Sequence, residues 1–175
     1  MKYADLEVCG VRGLQLVNQA VDLPVLRSSR YISVSSLSDD AVGALTVAAA
    51  NGSISALFVL LWYDQFRSVP LLWSPHLDVL CWALEQLSAG NIVGNRLAIN
   101  IPPRLSKSVL ANVVWCAHLW LTRPGDSLLC LTGVQSTIGR DSTTCRAFID
   151  GPVFKMVFQT RHKMLPTTTE ADLSL

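Results

Sequence analysis

The sequence predicts an α/β fold in which the core of a parallel sheet follows an N-terminal helical segment. Two short apolar runs, residues 97–101 and 127–134, have the length and composition of strands buried on both faces. A helical pattern follows each run, over residues 107–121 and 136–149. Strand, helix, strand, helix in this order is typical of parallel strands joined by right-handed crossovers.

The composition is that of a globular protein with one real core. Half of the 175 residues are apolar, 15% are charged and the formal net charge is +1. This balance excludes a disordered chain and gives no electrostatic reason to expect a protein that coats nucleic acid. We expect two parts, an N-terminal helical segment over residues 1–67 and a partial sheet domain over residues 68–175.

Local signals mark helix boundaries in the first half of the chain. Ser38, followed by two aspartates, is typical of a helix start, because its side chain can cap free backbone N–H groups. The helical pattern runs to about Phe66, with a predicted break near Asn51 and Gly52. A second amphipathic helix is predicted over residues 75–89, with Gly90 placed to end it.

Residues 41–63 contain no charged side chain and are about long enough to span a bilayer. Polar residues lie at the centre of this stretch, and its second half carries one apolar stripe at helical spacing. We therefore favour two helices without a membrane, and a membrane-anchored protein stays as an alternative.

The cysteines carry no metal-site or disulfide pattern. They are scattered, with no CxxC pair and no histidine at zinc spacing. This arrangement predicts reduced thiols in a cytosolic protein. The five residues are Cys9, Cys81, Cys116, Cys130 and Cys145.

Residues 101–108, which join the first predicted strand to its helix, have the position and composition of a phosphate-binding loop. Such a turn presents unpaired backbone N–H groups and the positive end of the helix dipole. Lys107 adds a charge, and Ser108 offers a hydroxyl ligand for Mg²⁺. The usual loop has glycine where this chain has Ile101 and Ser106, and a positive φ without glycine costs on the order of 1 kcal/mol. On the Lys-Ser pair alone, an ordinary solvated helix start is the alternative.

A family resemblance adds to this pattern. The stretch 96–108 (RLAINIPPRLSKS) resembles the deviant Walker A region of phage terminase large subunits, where a strand is followed by PPRxGKS or PPRxxKS. Upstream, residues 68–92 resemble the family's lead-in, in which a Trp-x-x-His pattern opens a helix. Downstream, the second predicted strand and helix and the segment 167–173 (TTTEADL) follow the family's order. The similarity covers roughly residues 54–175.

The resemblance implies a P-loop NTPase-like core that binds ATP and Mg²⁺. It implies that Lys107 contacts the β- and γ-phosphates, that Ser108 coordinates Mg²⁺, and that Arg104 supplies charge to the transferring phosphoryl group. A salt bridge is the alternative role of Arg104. The residues expected to hold the nucleotide are Pro103, Arg104, Leu105, Ser106, Lys107 and Ser108. Trp73 and His76 either approach the adenine or pack the lead-in helix.

The same resemblance implies the wider function of an ATPase that drives double-stranded DNA into a viral shell. The implied partners are DNA, a portal protein and a small terminase subunit, in an oligomeric motor within the bacterial cytoplasm. No apolar run ending in paired acids follows Ser108, and the family's nuclease domain is missing. We therefore expect a fragment, truncated before Walker B, that binds nucleotide weakly and hydrolyses it negligibly.

A non-catalytic protein-interaction module is the competing hypothesis. Its anchors would come from a Trp-rich middle, although tryptophans at helical positions more often fill a core. The five tryptophans are Trp62, Trp73, Trp82, Trp115 and Trp120.

Overall fold

The computed structural model describes residues 7–8, 11–12, 31–32, 34–131 and 133–164. Most of the described chain is helical, and its strands are two residues long. The helices are α1 (Asp39–Ala50), α2 (Ile54–Gln65), α3 (Pro75–Ser88), a π-helical segment (Val109–Val114) continued by α4 (Trp115–Thr122), α5 (Gln135–Asp150) and α6 (Pro152–Met164). Short 3-10 turns are formed by Val34–Ser36 and Val93–Asn95. The strands are β1 (Glu7–Val8), β2 (Val11–Arg12), β3 (Tyr31–Ile32) and β4 (Leu71–Leu72), and they pair as β1–β2 and β3–β4, both antiparallel.

The predicted α/β fold with a P-loop NTPase-like parallel sheet is wrong, because the described chain is mostly helical and contains no parallel pair of strands. Residues 97–101 form no strand. Leu97, Ile99 and Ile101 are partly buried and pack against the helical core, while Ala98 and Asn100 are exposed. One face of the run therefore covers the helical core, and the other face is exposed. Its apolar composition had predicted a strand buried on both faces.

The second predicted strand, residues 127–134, is also absent where the structure describes it. Residues 127–131 have no regular structure, and the side chains of Leu129 and Leu131 are 84% and 85% exposed. Residue 132 lies outside the described part, as does the tail segment 167–173. A buried strand needs hydrogen-bonded neighbours, and apolar composition alone does not supply them.

Helix α2 occupies the centre of the core. Its residues 54–61 are all buried, and it contacts α1, α3, α4, α5, α6 and the π-helical segment. A helix that is apolar all round must be covered on every side, which explains why the other helices surround it. Among the described residues, no helix has both the length and the apolar character needed to cross a bilayer. The uncharged stretch 41–63 is divided between α1 and α2, as predicted.

The predicted helix boundaries are confirmed at several positions. The Ser38 hydroxyl accepts a hydrogen bond from the Ala41 N–H at 3.2 Å and so caps α1. Pro75 is the first residue of α3, and Gly90 follows its end with φ +75°. The predicted helices at 107–121 and 136–149 correspond to the π-helical segment with α4 and to α5. The predicted boundary between residues 67 and 68 stays a prediction.

The turn between α1 and α2 is held by side chains from three other helices. We call residues 50–54 the α1–α2 corner. Arg161 of α6 donates a hydrogen bond to the Ala50 carbonyl at 2.7 Å. His118 of α4 donates from Nε2 to the Gly52 carbonyl at 3.1 Å, and Glu85 of α3 accepts from the Ile54 N–H at 2.7 Å.

The α1–α2 corner has a left-handed backbone angle at Gly52, and two of the side chains that contact it have shifted pKa values. Gly52 has φ +98°, a left-handed value that side chains with a Cβ rarely adopt. Burial raises the pKa of the Glu85 carboxyl to about 7, although the hydrogen bond from the Ile54 N–H acts in the opposite direction. Burial lowers the pKa of His118 to about 4, so its ring is neutral at pH 7 and donates from Nε2.

The substitution Glu85→Gln tests the raised pKa. Because the folded pKa of about 7 lies above the ordinary 4.5, the wild-type protein loses stability as the pH rises from about 4.5 through 7. The glutamine variant has no such loss, so its melting temperature relative to the wild type should increase over this range. His118 has the opposite effect on stability, but it is present in both proteins and cancels in the difference. A difference in melting temperature that stays constant from pH 4.5 to 8 would contradict the buried, protonated carboxyl.

Candidate anion-binding site

The predicted phosphate-binding loop lies directly before a helix, without a preceding strand. We call residues 101–108 the 101–108 loop. Its helix begins at Lys107, and the first helical hydrogen bond runs from the Leu110 N–H to the Ser106 carbonyl at 2.9 Å. Helical structure then continues through the π-helical segment to the end of α4 at Thr122. The loop therefore retains the helix start that the prediction required, although the sheet is replaced by helical packing.

Two residues of the loop adopt left-handed backbone angles although neither is glycine. Arg104 has φ +67° and Ser106 has φ +58°. The sequence lacks the consensus glycine at Ser106, and each such angle costs on the order of 1 kcal/mol for a residue with a Cβ. A left-handed residue followed directly by helical residues turns successive backbone N–H groups toward one concave surface, which is a recurrent way of binding anions.

Three backbone N–H groups at this turn are free within the described part of the chain. The backbone N–H groups of Ser106, Lys107 and Ser108 donate no hydrogen bond there. The first N–H groups of any helix lack intrahelical acceptors, and they carry the positive end of the helix dipole. The side chains of Arg104 and Lys107 likewise form no ion pair with described residues. The positive charge and the free donors therefore lie on one short segment.

His76 of α3 fixes the loop from the other side. Its Nε2 lies 3.3 Å from the Leu105 carbonyl oxygen, and its Nδ1 lies 2.7 Å from the Ser74 hydroxyl. Because a carbonyl only accepts hydrogen bonds, we assign the proton to Nε2 and the acceptor role to Nδ1. Leu105 does not line the cavity described below, and its part in the site is this carbonyl contact. His76 therefore supports the loop backbone.

Trp73 packs in the core, as one of the two predicted roles for this residue requires. Its side chain is buried, its ring centroid lies 6.0 Å from that of Phe58, and its Nε1–H donates to Asp78 at 2.8 Å. Burial raises the pKa of the Asp78 carboxyl, which the Trp73 hydrogen bond partly offsets. This arrangement leaves no free polar group on Trp73 for a ligand.

A cavity of about 640 Å³ lies beside the loop. Its walls include Arg104 and Lys107 from the loop and Arg140 from α5, together with one carboxylate, that of Asp141. Of the six predicted site residues, the cavity is lined by Pro103, Arg104, Ser106, Lys107 and Ser108. Three cations and one carboxylate around a cavity with free N–H groups favour a polyanionic ligand.

Sequence reasoning missed the contribution of α5. Asp141 is buried, and its Oδ1 accepts from Arg140 Nε and Nη2 at 3.0 and 2.9 Å. Its Oδ2 accepts from Asn112 of the π-helical segment at 3.0 Å. One signal was present in the sequence: Asp141 shares a helical face with Cys145 and Phe148, and a charged residue on an apolar face is unusual.

The role predicted for Ser108 in holding Mg²⁺ stays a prediction. Ser108 lines the cavity, and its hydroxyl makes no hydrogen bond within the described residues. Mg²⁺ in nucleotide sites takes most of its ligands from phosphate oxygens and water. No group of three or more His, Cys, Asp or Glu side chains able to hold a metal occurs in the described ranges.

The described cysteines are free thiols. Cys116 and Cys130 come closest, with their sulfurs 3.8 Å apart, and the pair lies outside the cavity beside the loop. Burial raises the pKa of Cys116 to about 12, which keeps this thiol protonated.

Comparisons of the chain with protein-family models, with curated proteins and with solved structures found no match. The resemblance to terminase large subunits therefore stays a prediction.

Substitution of two serines by glycine tests the backbone geometry of the loop. Ser106→Gly should raise the free energy of unfolding by about 0.5–1 kcal/mol, because glycine adopts a positive φ without the steric cost. Ser108→Gly is the matched control, since Ser108 has φ −66° and helical geometry. This control should lose about 0.5 kcal/mol through lower helix propensity. Urea denaturation measures both, and equal destabilisation by the two substitutions would contradict the left-handed angle at Ser106.

Proposed function

We propose that the chain binds a nucleoside triphosphate, ATP with Mg²⁺, at the 101–108 loop. The observation that carries the proposal is the pair of left-handed non-glycine residues just before a helix start, beside a cavity lined by Arg104 and Lys107, which form no ion pair with described residues. Strained backbone angles of this kind are concentrated at functional sites, where the surrounding structure maintains them. The proposal does not require a parallel sheet, because the N–H groups, the dipole and the cations all belong to the loop and its helix.

Residues 103–108 of the loop have defined roles in this proposal. Lys107 lies at the first helical turn and contacts the terminal phosphates with its ammonium group. Arg104 offers a planar guanidinium that can bind two phosphate oxygens at once. The Ser108 hydroxyl coordinates Mg²⁺, which, when bound, neutralises charge on the phosphate chain. The backbone of residues 103–106 surrounds the phosphate oxygens, as the resemblance implies.

The expected turnover is low. Phosphoryl transfer to water needs a carboxylate that orients the water or holds the metal. The carboxylate that lines this cavity, Asp141, already accepts hydrogen bonds from Arg140 and Asn112 on both of its oxygens. We therefore propose that the described site binds ATP and hydrolyses it negligibly.

The wider role rests on the resemblance described above. We propose that this site is the ATP-binding part of a terminase-type motor that packages double-stranded DNA. A portal protein, a small subunit and an oligomeric ring in the bacterial cytoplasm are part of the same proposal. This role is supported by the order of three features along the chain: the lead-in helix α3, the segment RLAINIPPRLSKS and helix α5.

A protein-interaction module is the second candidate, favoured by one surface feature. Trp120 and Phe158 are 38% and 44% exposed and line one shallow apolar cavity between α4 and α6. Exposed aromatic side chains in a pocket are typical anchors of protein interfaces. Trp73 and Trp82, in contrast, are buried and belong to the core.

Thermal unfolding with and without MgATP distinguishes the two candidates. A ligand at ten times its Kd stabilises the folded protein by about 1.4 kcal/mol, which corresponds to a rise of about 3–5 °C in melting temperature for this chain length. Lys107→Ala should remove most of this rise. Lys155→Ala is the matched control, because Lys155 is exposed on α6 and lines a different cavity. No rise in the wild type, or an equal rise in the Lys107 variant, would contradict the ATP-binding proposal.

A further inference from the structure

We propose that Arg140 determines how many phosphates the site accepts, by binding the terminal phosphate of a triphosphate from the α5 side of the cavity. This inference rests on the proposed function, because it assigns a further residue to the same site. Arg140 is 33 residues from Lys107 in the sequence, yet the two side chains line one cavity. The site is therefore bounded by cations from two separate elements.

The positive charges lie on two sides of the cavity, the loop and α5, and we expect each side to bind a different part of the phosphate chain. Arg104 and Lys107 belong to the loop, where the free backbone N–H groups also lie, so this side can hold two phosphates without α5. Arg140 belongs to α5. This helix forms another part of the cavity wall through Arg140, Asp141 and Thr144. A short anion such as pyrophosphate can bind to the donors of the loop alone. A longer phosphate chain is needed to contact the loop and α5 at the same time.

Arg140 is held in place and still has donors available. Its Nε and Nη2 donate to Asp141 Oδ1, and Asp141 is itself fixed by Asn112. The second terminal nitrogen, Nη1, makes no hydrogen bond within the described residues, and the side chain is 66% exposed. Because guanidinium has five N–H donors in a fixed plane, Arg140 can bind a phosphate oxygen without leaving Asp141.

Asp141 is a positioning residue in this arrangement. Its carboxylate is buried and lies where the guanidinium and the Asn112 amide meet. An arginine oriented by a buried carboxylate loses less side-chain freedom when it binds a phosphate, so its hydrogen bond retains more of its free energy. A freely rotating arginine at the same distance would discriminate less between phosphate chains.

Calorimetric titration with inorganic pyrophosphate and tripolyphosphate tests the inference, at fixed pH and ionic strength. The wild type should bind tripolyphosphate more tightly than pyrophosphate. Arg140→Gln should weaken tripolyphosphate binding about tenfold, the effect of one charge-assisted hydrogen bond. It should change pyrophosphate binding less than twofold.

Two further variants separate this role from a general effect of charge or folding. Arg123→Gln is the matched control, because Arg123 also pairs with a carboxylate, Asp126 at 3.2 Å, and does not line the cavity. Its binding of both anions should be unchanged. The double variant Arg140→Gln with Asp141→Asn leaves no unpaired carboxylate and should show the same selective loss.

The outcomes distinguish the two proposals. If the wild type binds neither anion, both the proposed function and the role of Arg140 fail. If the wild type binds both anions and the Arg140 variants lose affinity for both equally, or lose none, the role of Arg140 is overturned and the proposed function stands.

Discussion

The α1–α2 corner is the constraint on which the helical arrangement depends. Helix α2 is buried along residues 54–61, so water cannot satisfy the polar backbone groups at its start. Glu85, His118 and Arg161 satisfy the backbone of the corner, and each comes from a different helix. Three helices are thereby positioned relative to α2 by one turn. Their hydrogen bonds are directional, whereas apolar packing alone would allow each helix to slide.

The corner also positions the candidate site. His118 lies on α4, which continues the helical structure that begins at Lys107, so the corner holds the far end of the segment whose N-terminus lies at the loop. Glu85 lies on α3, whose first turn carries His76, and His76 contacts the Leu105 carbonyl. The 101–108 loop is therefore held from two helices that meet again at the corner. A loop fixed in this way can maintain backbone angles that it would not adopt alone.

The sequence predicted those features that depend on neighbouring residues. Ser38, Pro75 and Gly90 mark helix ends through local hydrogen bonds and backbone angles, and each lies where it was expected. The two predicted strands failed because a short apolar run has the same composition whether it pairs with another strand or covers a helix. Strand pairing is a tertiary property, so the sequence of residues 97–101 does not show whether a neighbouring strand is available to pair with it.

The sequence predicted the loop side of the candidate site but not the side formed by α5. Lys107 and Ser108 at a helix start form a local pattern, and their place in the structure agrees with it. Arg140 lies on another helix, and only the packing of α5 brings it to the same cavity. The helical face of Asp141 indicates its buried position, but its pairing with Arg140 and Asn112 depends on side-chain geometry and on how α5 packs against the π-helical segment. A sequence pattern therefore located the loop, and tertiary structure supplied the opposite wall.

The left-handed angles at Arg104 and Ser106 bear directly on how the site would bind. A loop that reached these angles only with ligand present would lose conformational freedom on binding, and that loss would weaken affinity. Contacts within the chain hold this part of the loop: His76 hydrogen-bonds to the Leu105 carbonyl, and the Leu110 N–H donates to the Ser106 carbonyl. Arg104 and Lys107 both line the cavity beside the loop, so one short segment presents two positive charges to it. A bound polyanion would interact with both charges, so we expect its affinity to come mainly from electrostatics that the fold arranges.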